Sequence, residues 1–161
     1  MSSQELKPEN VTVIIDNREQ LPFTLAPMKT VRGTIQTGDY GILGLENRIA
    51  VERKSLDDLC GVVGVGRERF EREIQRLLAY EVHAIVVEAS WIDIEAGMWR
   101  SKVTSAAVMG SLMSWQARGV NILMAGRRDI ADRLAARLLF SAARQRWREL
   151  QSFLPHLKIA T

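Results

Sequence analysis

The chain has 161 residues, 47% of them hydrophobic, which is enough for one well-packed domain and too few for two ordinary ones. A single cysteine, Cys60, excludes an internal disulfide and is expected as a small buried hydrophobe, while no apolar run approaches the roughly 20 residues of a membrane span. The formal charge is only +3, yet 17 of the 22 basic residues are arginine, whose planar fork suits bidentate phosphate contacts better than a lysine point charge.

Residues 1–10 are polar and are expected to form a flexible arm. Beyond them, extended and helical patterns alternate. Strands are predicted over 11–16, 30–36, 40–43, 48–53, 84–88 and 121–124, three of them as a meander. The segments 82–87 and 120–125 are short and continuously apolar, as strands buried on both faces should be. Helices are predicted over 55–62, 67–80, 104–118 and 129–150, with Ser55 and Asp129 as N-caps. This order implies an α/β domain over 11–150, a central sheet with helices on both faces, and a tail over 151–161. No internal repeat or low-complexity segment interrupts it.

Chemistry concentrates around the third and fourth strands. In an extended segment Glu52 and Lys54 share one face and Val51 and Arg53 the other, which sets a carboxylate beside an amine. A hairpin closed around Asn47 returns Asp39 toward the same spot. Hard oxygen ligands suit Mg²⁺ or Mn²⁺: the side chains of Asp39 and Glu52 and the backbone carbonyl of Arg53 are the candidate donors, and Lys54 is placed to orient water or neutralise developing charge. Cutting a phosphodiester needs these parts. Upstream, the apolar run 11–15 ends in Asp16-Asn17-Arg18-Glu19, which delivers two more carboxylates to a strand end, with Asp16 a further candidate ligand.

Gly38-Asp39, a variable spacer, Glu52-Arg53-Lys54, three residues and Asp58 follow the signature of the XPF-type structure-specific endonucleases, which the chain resembles. Asp16-Asn17-Arg18-Glu19 upstream and Arg69-Phe70 leading to Gln75-Arg76-Leu77 downstream also match, and the resemblance covers residues 11–150. It implies a restriction-endonuclease-like core of the PD-(D/E)XK superfamily, a central mixed β-sheet flanked by helices. It makes Asp39 and Glu52 metal ligands, Lys54 the catalytic lysine, and Asp16, Glu19, Arg53 and Asp58 supporting site residues. The implied activity is Mg²⁺- or Mn²⁺-dependent hydrolysis of branched DNA by a homodimer, in repair, recombination or replication. No helix-hairpin-helix module, usual in the family, is expected within residues 1–161, which leaves a weakly selective nuclease of the same fold as one alternative. A non-catalytic DNA-binding scaffold is the other, and intact Asp39, Glu52 and Lys54 argue against it, because converging charges destabilise a fold unless metal or chemistry compensates.

Arg67, Arg69, Arg72 and Arg76, on the helix that follows this site, are the candidate DNA contacts. A second basic stripe, Arg133, Arg137, Arg144 and Arg148, is either a DNA surface or a solvated helix face. The glycine-rich run 61–66 lacks the lysine and hydroxyl of a P-loop and is expected as a mobile loop beside the site. Trp115, Trp147, Phe153 and Leu154 offer apolar area to a second copy or to the domain's own core. His83 and His156, the only histidines, have no ligand-like spacing. The compartment expected is the cytoplasm, at the nucleoid in a prokaryotic or phage setting, or the nucleus in a eukaryotic one.

Overall fold

The computed structural model describes residues 5–158 and is built on a six-stranded mixed sheet. Its elements in chain order are β1 (Thr12–Asp16), β2 (Lys29–Gly33), β3 (Tyr40–Ile42), β4 (Ile49–Lys54), α1 (Leu56–Val63), α2 (Arg67–Leu78), β5 (Val82–Val87), α3 (Trp91–Ala96), α4 (Ser105–Ala117), β6 (Ile122–Met124) and α5 (Arg128–Phe153). The strand order is β2-β1-β3-β4-β5-β6. β1 and β2 are parallel, as are β4, β5 and β6, while β3 runs antiparallel to both β1 and β4. β1, β3 and β4 are thus neighbours in alternating direction, but β2 leaves that path to lie at the sheet edge with its side chains largely exposed.

Two cores form because strand side chains alternate between the faces. Ile49 and Val51 of β4 and Val86 of β5 join Ala131, Ala135 and Leu139 of α5 on one face. Ala50 of β4 and Ile85 and Val87 of β5 meet Leu59, Phe70, Ile74 and Leu112 from α1, α2 and α4 on the other. Each buried aliphatic or aromatic side chain there contributes about 1.5–3 kcal/mol relative to exposure. The alternation carries past the core: Glu52 and Lys54 continue the face that meets α1 and α2, and Arg53 continues the face that meets α5.

Several expectations change in the folded chain. Trp115 belongs to the core, fully buried edge-on to Phe70 with ring centroids 5.1 Å apart. α5 starts earlier than expected, with Arg127 at its N-cap; Asp129 lies in the first turn and accepts from the Arg127 guanidinium. Its buried stripe is Ala131, Ala135, Leu139 and Ala142, with Leu134 and Leu138 only partly buried, while Arg133, Arg137 and Arg148 are exposed. Gly61 and Val62 of the glycine-rich run are helical, since α1 extends to Val63. Within the expected arm, Pro8–Asn10 forms a 3-10 turn and Leu6 packs on the core; residues 1–4 and 159–161 lie outside the described residues. Cys60 is buried, and burial pushes its thiol pKa up. Among the described residues, no helix is long and apolar enough to cross a membrane.

Candidate functional site

Topology brings the acids together. Because β1 and β4 both run antiparallel to β3, the C-terminal ends of β1 and β4 and the N-terminal end of β3 lie at one edge of the sheet. Asp16, Asp39 and Glu52 sit at those ends. The Asp16 N–H donates to the Asp39 carbonyl at 2.8 Å, and the Asp39 N–H to the Val51 carbonyl at 2.8 Å. Gly38 makes the approach possible: its φ is +79°, and a Cβ there would lie 2.9 Å from the Val51 oxygen. Beside this edge opens a cavity of about 580 Å³, whose lining includes Asp16, Asp39, Glu52, Lys54, Arg69 and Glu73.

Glu52 and Lys54 form an ion pair inside the cavity, and the Lys54 amine lies 4.8 Å from the centroid of the Phe70 ring. Asp39 Oδ2 accepts the Arg53 N–H at 2.8 Å. Asp39 Oδ1 and Glu52 Oε2 have no hydrogen-bond partner among the described residues. Burial, then the charge of Glu52, raises Asp39 to about pKa 7 against the Arg53 N–H and Lys54. Burial also raises Glu52, against the opposing pull of Lys54. The Arg53 carbonyl shares the β3-side orientation of the Arg53 N–H, because backbone groups alternate along a strand and Lys54 presents its own carbonyl to Glu88 on the β5 side.

Asp16 and Asp58 line the cavity but have structural partners as well. Asp16 Oδ1 accepts from the Arg18 N–H at 3.0 Å and Arg18 Nε at 2.6 Å, and Oδ2 from the Ile35 N–H at 3.0 Å. Burial raises its pKa, yet these bonds together hold it below the ordinary value. Asp58 closes a capping box with Ser55 at the start of α1, so its role includes holding the helix that follows β4.

Glu19 and Arg53 do not reach the cavity with their side chains. They pair behind it: Arg53 Nε meets Glu19 Oε2 at 2.8 Å and Nη2 meets Oε1 at 3.0 Å, both side chains being under 10% exposed. Glu19 also accepts the Leu21 N–H, and Glu88 accepts from Arg53 and Arg128. Glu19 and the Arg53 side chain thus stand behind the cavity rather than in it, because Arg53 points to the α5 face and Glu19 follows it.

Among the four arginines of α2, Arg69 and Arg76 line the cavity. Arg67 instead donates to Ser111 Oγ on α4 at 2.7 Å, and Arg72 lies near Glu68, so these two are not brought to the site. Three further charged residues line the cavity without having been singled out in the sequence: Arg18, Asp57 and Glu73. Arg18 stood inside the Asp-x-Arg-Glu run, but nothing in that run told which way it points. Helix α3 was also missed, although Ser90 and Asp93 carry its capping-box signal.

The ERCC4 domain family matches residues 10–135, more than three quarters of the chain. The chain belongs to the ERCC4 domain family. Among solved structures, this ERCC4 domain is similar to XPF from Aeropyrum pernix, at TM-score 0.66 and 20% identity over 89% of this chain and 71% of that one. It is also similar to XPF from Aeropyrum pernix in complex with DNA, at TM-score 0.67 and 19% identity over 84% of this chain. The ERCC4 domain spans 66% of that second chain's length, just under two thirds. No curated protein sequence matches the chain. Its mixed α/β fold is that of an XPF-type nuclease domain.

Proposed function

We propose that this ERCC4 domain is a Mg²⁺- or Mn²⁺-dependent endonuclease that hydrolyses phosphodiester bonds at flap or fork junctions of DNA, in repair, recombination or replication, and that it acts as a homodimer. The observation that carries the reading is the convergence of Asp39, Glu52 and Lys54 on one cavity, with an unpartnered carboxylate oxygen on each acid. The XPF relative's complex with DNA supports DNA as the substrate class.

Among the described residues no group of three or more His, Cys, Asp or Glu side chains is placed to hold a metal. Two carboxylates still fit the ion proposed, since Mg²⁺ usually keeps several waters and takes one or two protein carboxylates plus substrate phosphate. Burial first and the Glu52 charge second raise the Asp39 pKa, and a bound cation would favour its ionised form. Asp39 and Glu52, with the Arg53 carbonyl, would hold the ion, which when bound supplies Lewis-acid polarisation of the scissile phosphate and an acidified water. Asp16 is the weaker candidate ligand, because both its oxygens already accept hydrogen bonds.

The chain's own side chains supply the rest. Lys54, held between Glu52 and Phe70, presents positive charge where the phosphoryl group becomes more negative. Arg69 on α2 lines the same cavity and neutralises the entering DNA backbone, while Arg76 and Arg18 beside it are already paired with Glu73 and Asp16. At the far end of α5, exposed Leu150, Phe153 and Leu154 support pairing with a second copy.

Cleavage of end-labelled 3′-flap, fork and linear duplex DNA tests the reading, with Mg²⁺, Mn²⁺ or EDTA and an Asp39→Ala control. Metal-dependent cutting near the flap base, absent in the control, is expected. Equal cutting of linear duplex would remove the junction preference, and no cutting with DNA still bound would favour a scaffold role.

A further inference from the structure

We propose that Glu73 is a positioning residue for Asp39, acting through the backbone of Gly38; the inference rests on the metal-site reading above. Gly38 is buried, and its N–H donates to Glu73 Oε1 at 3.1 Å. A buried backbone donor needs such an acceptor, and this one comes from a helix 35 residues away in the chain. The second Glu73 oxygen pairs with Arg76, which fixes the carboxylate from its other side.

The turn it holds has little slack. Gly38 lies at positive φ against the Val51 carbonyl, Asp39 donates to that same carbonyl, and the Asp39 carboxylate accepts from Arg53. A shift of Gly38 therefore moves the Asp39 carboxylate directly. Helix α2 thus touches the site at two points, with Phe70 beside Lys54 and Glu73 on the Gly38 amide. Residues that orient metal ligands from behind typically change metal affinity about 10–100-fold when removed.

Mn²⁺ binding to the full chain, measured by calorimetry without DNA, separates the possibilities. Wild type is compared with Asp39→Ala, Glu73→Gln and Glu73→Ala, and Glu73→Leu replaces the alanine variant should that unfold. Glu73→Gln keeps an acceptor oxygen for Gly38 and loses the charge; the alanine and leucine variants lose both. Positioning predicts Mn²⁺ affinity at least about 10-fold weaker in the alanine or leucine variant and restored to within about threefold by glutamine. Unchanged affinity in every Glu73 variant overturns the inference, as does an equal loss with glutamine, which would assign the effect to charge. Binding that is absent in wild type, or unaffected by Asp39→Ala, overturns the metal-site reading itself.

Discussion

Asp39 is where the demands of fold and site conflict. Burial, reinforced by the Glu52 charge, raises its pKa from 3.8 to about 7, so the folded chain holds a proton there that the unfolded chain has already released. Stability follows the difference in bound protons, and between about pH 4 and 7 the native state binds more. The metal-free chain should therefore lose stability as pH rises through that window. Asp39→Asn keeps an acceptor for the Arg53 N–H but removes the titration. Its thermal midpoint should fall less from pH 5 to pH 8, and at pH 8 the variant should gain on the order of 1 kcal/mol, roughly 3 °C for a domain of this size. Mn²⁺ should raise the midpoint of wild type at pH 8 and not that of the variant, because ligand that binds only the native state stabilises it. Thermal melts over that pH range, with and without Mn²⁺, decide it; identical pH profiles for the two proteins would reject the raised pKa of Asp39.

Strand β4 carries the site on one face and its support on the other. Arg53 forms a fork with Glu19 and reaches Glu88, which Arg128 also holds from the start of α5. Removing one partner of a buried pair costs more than the pair contributes, because the other charge is stranded. Arg53→Ala should lower stability by about 3–5 kcal/mol, read as a reduced urea midpoint. Arg53→Lys should recover only part of that, since a point charge cannot replace the two-pronged contact; full recovery would show that charge alone suffices. This support was only half legible in the sequence. Period-two alternation placed Glu52 with Lys54 and set Arg53 apart, and the apolar runs revealed β1, β5 and β6 because buried strands need continuous hydrophobes. What alternation cannot give is the partner across the fold: Glu19 is 34 residues away, and its turn toward Arg53 depends on how the chain after β1 folds back. Glu73 was hidden for the same reason, since a helix shows its apolar stripe in sequence but not which polar residue its docking aims at a neighbour. The edge position of β2 depends on a crossover that no local pattern records.

At the scale of the molecule, the arginine excess is much less available than its count suggests. Arg48 and Arg146 share Glu81, Arg118 holds Glu71, Arg127 and Arg133 lie near Asp129, and Arg128 holds Glu88. Such arginines neutralise carboxylates of the same chain, so taking up a DNA phosphate means giving up a partner, which weakens the net gain. Arg69 differs. It is exposed, lines the cavity, and makes no ion pair among the described residues. Arg72, one turn of helix away, has Glu68 at 3.6 Å. A phosphate contact by Arg69 therefore adds charge neutralisation without breaking an internal pair. Each phosphate neutralised releases counterions and steepens the salt dependence of binding by about 0.7–0.9 in the log–log slope. Arg69→Ala should weaken DNA binding and flatten that slope by about one unit, whereas Arg72→Ala should change both less. Binding titrations in an Asp39→Ala background from low to moderate salt measure this directly. Equal slopes for the Arg69 variant and its parent would remove α2 from the DNA contact surface, while equal losses for Arg69 and Arg72 would mean that internal pairing does not govern which arginines bind.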